Sequence, residues 1–204
     1  GRGLVGREPF PVELVKDTVE MQVVEEREGG ELLVVVDIGR ASFRGEDVGF
    51  LPVAGEALGT ELDLGEAGTA KVNPVSLSNP HCVVWVDELK REDFVRRAPR
   101  LATHPAFAAG TNVQFARVAG PSTLEAWIWE RGAGETLASG SSACAVVAVA
   151  ARLGLVAGPE VTVRMPGGEV RVTLRDDGMI RLLGAAQIIY HGAVRGEVAA
   201  LGTM

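Results

Sequence analysis

Apolar positions come in short bursts along this chain, each broken by glycine, proline or acidic residues. Residues 12–15, 18–24 and 32–38 have the length and β-branched content of strands, and Glu28-Gly29-Gly30-Glu31 is a hairpin signal between the last two. Residues 39–69 are less regular, rich in glycine and acid, and are expected to hold a connection between domains starting near Gly39. Strands are then predicted over 71–77 and 83–86, on either side of Asn79-Pro80-His81, and over 112–118 and 123–129. Residues 88–97 are charged and helix-like. The last strands fall at 161–164, 170–174, 180–183 and 186–190, with Pro166-Gly167-Gly168 and Asp176-Asp177-Gly178 as turns.

One segment breaks this texture. Residues 141–153 read as a helix, and its positions 143–151 are Ala, Cys or Val throughout. A surface helix carries a polar stripe; this one has none and must be enclosed on every side. Strands are the abundant material to enclose it, and small side chains let them approach closely. Gly154 is suited to end it. The expected fold class is α+β: a curved, mostly antiparallel sheet or β-barrel wrapped around a central buried helix.

Composition narrows the functional field. The 204 residues are 47% hydrophobic and 23% charged, with a formal net charge of -7. That balance argues against a nucleic-acid partner, which needs clustered basic residues. The apolar run 143–151 is far short of the roughly 20 residues that span a bilayer. No signal peptide is seen, and two cysteines, Cys82 and Cys144, suit a reducing, cytoplasmic setting better than a disulfide. With histidine only at 81, 104 and 191, no metal-ligand spacing is found. The chain opens Gly1-Arg2-Gly3 without an initiator methionine, which points to a processed product or part of something longer.

Candidate chemistry lies at the entrance to the enclosed helix. Glu130-Arg131-Gly132-Ala133-Gly134-Glu135-Thr136 ends a strand in an acid and a base and then turns; Ser139-Gly140-Ser141 follows. A helix N-terminus carries unpaired N–H groups and the positive end of a dipole, and so holds carboxylate or phosphate. Taken alone, the segment reads more readily as an ordinary capped helix start. A buried start, however, must find partners for those N–H groups, and a bound carboxylate supplies them.

These residues, with Ala143-Cys144-Ala145, Ser78-Asn79-Pro80-His81-Cys82-Val83, Gly110-Thr111-Asn112-Val113, Pro166-Gly167-Gly168 and Tyr190-His191-Gly192, resemble in order the motifs of diaminopimelate epimerases. The resemblance covers the C-terminal two-thirds of such an enzyme. It implies two pseudo-symmetric domains, each a β-barrel-like sheet around a helix, with the substrate between them. It implies a cofactor-independent isomerase, without pyridoxal phosphate or metal, that interconverts L,L- and meso-diaminopimelate on the route to lysine and peptidoglycan precursors. Residues 1–40 would be the remainder of the N-terminal domain, 41–190 the C-terminal domain, and 191–204 a tail.

Residue by residue, the resemblance places Ser139 where the family has its second catalytic cysteine. Gly140 and Ser141 would offer N–H groups to the α-carboxylate, and Glu130 would hold the α-ammonium as part of the catalytic set. Asn79, Asn112 and Arg131 would bind the distal amino-acid end, and His81 would lie near the base. The opposing cysteine of the family precedes the first central helix; Gly3-Leu4-Val5 resembles the exit from that helix, so the first half-site is expected upstream of Gly1. The chain by itself is then expected to be impaired and to expose its cleft face, which a homodimer would bury. A racemase for another amino acid and a non-catalytic amino-acid-binding homologue stand as alternatives, the latter supported by Ser139. Cys82 and Cys144 read as small core residues.

Overall fold

The computed structural model describes residues 6–13 and 18–190. The sequence features at Gly3-Leu4-Val5, at 14–15 and in 191–204 lie outside the described residues. Strands β1 (Phe10–Glu13), β2 (Thr18–Glu26) and β3 (Leu32–Arg40) lead to a single helical turn, α1 (Gly45–Val48). Then come β4 (Thr60–Asp63), β5 (Thr69–Ser76), β6 (Pro80–Trp85), α2 (Arg91–Ala102), β7 (Asn112–Gly120), β8 (Thr123–Glu130) and the short β9 (Gly134–Thr136). Helix α3 (Gly140–Arg152) is followed by β10 (Glu160–Met165), β11 (Gly168–Leu174) and β12 (Met179–Ala186).

Eleven of the strands form one path in the order β1-β2-β3-β12-β11-β10-β8-β7-β6-β5-β4, and β9 pairs with β8. The path curls back on itself. Ser42, two residues past β3, exchanges backbone hydrogen bonds of 3.0 and 2.8 Å with Ser76 at the end of β5. Eight strands, β3, β12, β11, β10, β8, β7, β6 and β5, thus enclose α3 as expected from its sequence. Every residue of α3 from Ser142 to Ala150 is buried. Its small side chains meet Val75, Val83, Leu124, Ile128, Val161, Val163, Val172 and Ile180 from the surrounding sheet. Each buried valine adds about 1.5–3 kcal/mol to such a core.

The outer face of β5–β8 carries a second core, where Phe94, Ala98 and Leu101 of α2 pack on Val84, Val113 and Phe115. These three helical positions explain one correction. The expected helix at 88–97 lies instead at Arg91–Ala102. Its i, i+4, i+7 apolar stripe, not the charged segment before it, decides where helix forms. Two strand boundaries also differ. The strand expected at 12–15 is β1 at Phe10–Glu13. The two strands expected at 180–183 and 186–190 are one, β12, which pairs with β3 from Arg40 to Leu32 with a register shift between Ile180 and Arg181 that skips Ile38. Residues 187–190 have no partner strand among the described residues.

Candidate active site

The topology gathers the singled-out residues at one end of the barrel. Strands β6 and β7 run parallel with His81 opposite Asn112, while β8 runs antiparallel to β7 with Trp129 opposite Val113. The start of β6, the start of β7 and the end of β8 therefore share an edge, and α3 starts from the same end.

The turn before β6 is strained in a useful way. Ser78 is the only non-glycine with positive φ among the described residues, at 64°. Left-handed backbone at such a residue costs on the order of 1–3 kcal/mol. The half-buried Asn79 follows it, and the turn closes by a 3.1 Å bond from Leu77 N–H to Asn79 O. The Asn79 carbonyl Oδ1 sits 3.0 Å from His81 Nε2. His81 Nδ1 in turn lies 3.0 Å from Gln114 Nε2, which is also 3.0 Å from Ser142 Oγ at the start of α3.

Asn112 ties the other two edges together. Its Oδ1 accepts a 2.9 Å bond from the Arg131 backbone N–H, and its Nδ2 donates 3.1 Å to Pro80 O. The Arg131 guanidinium donates through Nη1 to Ala109 O at 2.8 Å. Its stem lies over Gly110, whose φ is +68° and where an added Cβ would sit 2.7 Å from Ala102 O. Only glycine fits there. Two hydrogen-bonded sets, Arg131–Asn112–Pro80 and Asn79–His81–Gln114–Ser142, thus meet at the Asn79–Pro80 peptide.

The entrance to α3 supplies the anion-binding geometry. Ser139 has extended backbone, φ -155° and ψ 124°, and its side chain makes no cap bond. The first bond of the helix is Ala143 N–H to Ser139 O, 3.0 Å. The N–H groups of Gly140, Ser141 and Ser142 precede it, without a side-chain cap. Ser139, Gly140 and Ser141 are half-buried, as is Glu130 at the end of β8. The loop into the helix is held from beyond it, since Gly167 N–H donates to Leu137 O at 2.7 Å. An added Cβ on Gly140 would meet Leu182 Cδ2 at 2.7 Å, so the helix start packs directly against β12.

Electrostatics separate the titratable groups. Burial, and secondarily the charge of Arg131, push His81 down to about 3. The ring is therefore neutral, fully buried, and engaged at both nitrogens. Burial pushes the Cys82 thiol far up and the Cys144 thiol up to about 12, so neither is a thiolate near neutral pH. Both are free and enclosed in core, as expected. No cluster able to hold a metal ion occurs among the described residues, and no helix there is long and apolar enough to cross a membrane. Gln114 was not singled out from sequence, and Ser142 only as a capping hydroxyl beside Ser141. Their signal is modest: a Gln among apolar strand neighbours, and one more Ser at a helix start.

The family model for diaminopimelate epimerase matches residues 74–189, a span that contains every singled-out site position. Diaminopimelate epimerase of Heliobacterium modesticaldum is 31% identical over 94% of this chain and 68% of its own length. That of Desulforudis audaxviator is 36% identical over 94% of this chain and 68% of its length. The chain belongs to the diaminopimelate epimerase family. A third relative, diaminopimelate epimerase 2 of Nostoc, is 34% identical over 99% of this chain and 69% of its own. Among solved structures, a predicted epimerase from Pseudomonas aeruginosa aligns with TM-score 0.60 at 20% identity, covering 93% of this chain and 70% of that one. A hydroxyproline epimerase from Agrobacterium vitis aligns with TM-score 0.59 at 13% identity, covering 88% and 59%. At these identities the structural likenesses speak for the fold alone. They agree with a diaminopimelate epimerase barrel around its helix.

Proposed function

We propose that this chain carries one wall of the cleft of a diaminopimelate epimerase, an isomerase that moves the α-proton of an amino acid without pyridoxal phosphate or metal. The observation that supports it is the pair of hydrogen-bonded sets, meeting at the Asn79–Pro80 peptide, that gather Asn79, Asn112 and Arg131 at the same end of the barrel as the uncapped start of α3. An α-carboxylate on the N–H groups of Gly140 and Ser141 is the natural partner for that helix end. Negative charge grows toward this carboxylate as the α-proton leaves, and fixed N–H dipoles stabilise it without reorganising. Glu130 holds the α-ammonium. Arg131, which keeps guanidinium N–H groups beyond the one on Ala109 O, binds the distal carboxylate with Asn79 and Asn112. His81, with both nitrogens engaged, acts by positioning Asn79 and not as a base. Residues 41–190 make up this domain together with β3, which pairs with β12 in its barrel.

Ser139 sits beside the α-carbon as the proton donor or water holder of this face. A hydroxyl is a far weaker acid than a thiol, and neither buried cysteine replaces it. The opposite face is served by a group outside the described residues. Deuterium uptake at the α-carbon of L,L- and meso-diaminopimelate in D2O tests this reading. Wild-type protein is expected to exchange slowly at best and Ser139→Cys measurably faster. No exchange by either, with no diaminopimelate binding by calorimetry, would refute it. Binding without exchange in both would favour the second reading that Ser139 itself motivates, a homologue that holds an amino acid without turning it over.

A further inference from the structure

We infer that Gln114 is a positioning residue: through His81 it turns the Asn79 amide so that the NH2 group, not the carbonyl, faces the cleft, which makes the paired-asparagine subsite a donor-only site selective for carboxylate. This rests on the cleft proposed above and adds how its selectivity is set.

The polarity of the network can be followed atom by atom. Gln114 Nε2 carries two hydrogens and has two acceptors at 3.0 Å, His81 Nδ1 and Ser142 Oγ. A donor at Nδ1 requires that nitrogen to be bare. The neutral ring then carries its proton on Nε2, and Nε2–H donates to Asn79 Oδ1. The Asn79 carbonyl is thereby committed inward, and its NH2 group is what remains. Asn112 is oriented independently, by two backbone partners whose polarity cannot change. Its carbonyl accepts the Arg131 N–H, and its amide gives one hydrogen to Pro80 O and keeps another. Both asparagines therefore turn N–H groups toward the subsite of the Arg131 guanidinium, and each carbonyl is already engaged by a donor on its far side.

The reverse polarity costs more. In the observed arrangement the Gln114 side chain leaves one buried atom without a partner, Oε1. Rotating the amide would put the carbonyl on His81 and Ser142 and leave two buried N–H donors in that empty place. Orphaned buried donors are rarer than under-used carbonyls because a carbonyl has a spare lone pair to lose. Ser142 Oγ adapts to either, so Gln114 decides.

The test begins with the ring itself. Long-range 1H–15N spectra, with His81 assigned by its disappearance in His81→Gln, are expected to show the proton on Nε2 and a bare Nδ1. Gln114→Glu offers only an acceptor and should move a proton onto Nδ1. A wild-type ring protonated at Nδ1 overturns the proposal, and neither measurement needs ligand. Calorimetry then compares diaminopimelate with its ω-carboxamide. Gln114→Met should lower the preference for the dicarboxylate about tenfold, the worth of one charge-assisted hydrogen bond. Equal weakening toward both ligands would mark Gln114 as merely structural and overturn its selectivity role. Wild-type protein that binds neither ligand would sink the epimerase reading while the ring measurement still decides the orientation of Asn79. Should Gln114→Met fail to fold, the wild-type and Gln114→Glu spectra decide the matter.

Discussion

Removing the Asn112 side chain should separate the structural from the binding part of the site. Its two bonds, 2.9 Å from Arg131 N–H and 3.1 Å to Pro80 O, join the end of β8 to the start of β6 across the head of β7. Each such bond contributes about 0.5–1.5 kcal/mol net. Asn112 is half-buried, so water recovers some of this, and Asn112→Ala should cost about 2 kcal/mol. For a chain of this size that is a fall in melting temperature of about 4–8 °C. Asn112→Asp behaves differently. It retains an acceptor for Arg131 N–H but loses the donor to Pro80 O, and it brings a negative charge to the subsite proposed for carboxylate. Its melting temperature should fall less than that of Asn112→Ala, while diaminopimelate binding should weaken far more, about a hundredfold against tenfold. Thermal unfolding by circular dichroism and calorimetric titration give both numbers. If Asn112→Asp binds diaminopimelate as well as Asn112→Ala does, a carboxylate is not held there and the assignment of this end of the cleft is refuted.

Three further outcomes are expected. His81 is held neutral well below its ordinary 6.5, so between about pH 3 and 6.5 the unfolded chain binds a proton that the folded chain does not. Stability should therefore fall as pH drops through that window, and urea titrations of His81→Gln should show a shallower fall. Both thiols should resist iodoacetamide in folded protein and react fully in denaturant, as read by mass; modification of native Cys82 or Cys144 would contradict their enclosure. Gly140→Ala forces a methyl to within 2.7 Å of Leu182 Cδ2 and should cost about 1–3 kcal/mol in chemical denaturation, with Leu182→Ala in the same chain recovering part of it.

Much of this fold was legible because one helix is so unusual. An apolar segment with no polar stripe has few ways to exist in water, and enclosure by strands followed directly from residues 143–151. The motif residues were legible as a set, since Asn79, Asn112, Glu130 and Arg131 fall at strand ends that the β6–β7–β8 pairing brings together. Other features depend on tertiary contacts that local pattern does not carry. Pro99 lies inside α2, where local rules favour an end; burial of Ala98 and Leu101 overrides them. The Ser78 backbone has no local signal, because Asn79-Pro80 alone suggests a turn without its hand. Gln114 is the clearest miss. A buried polar residue in a strand reads as a misfit until its partners, Ser142 on a helix and His81 on a neighbouring strand, are known.

The seam between β3 and β12 has a consequence for how the molecule comes into being. Arg181 grips Asp37 with two bonds of 2.7 and 2.8 Å, across 144 positions of chain. Joining such distant segments gains nothing until most of the intervening loop entropy has been lost. The enclosed helix therefore stays partly wet until β12, the last described strand of the chain, pairs with β3. Folding should be slow and all-or-none, and the uncapped start of α3 should come into existence in that same event.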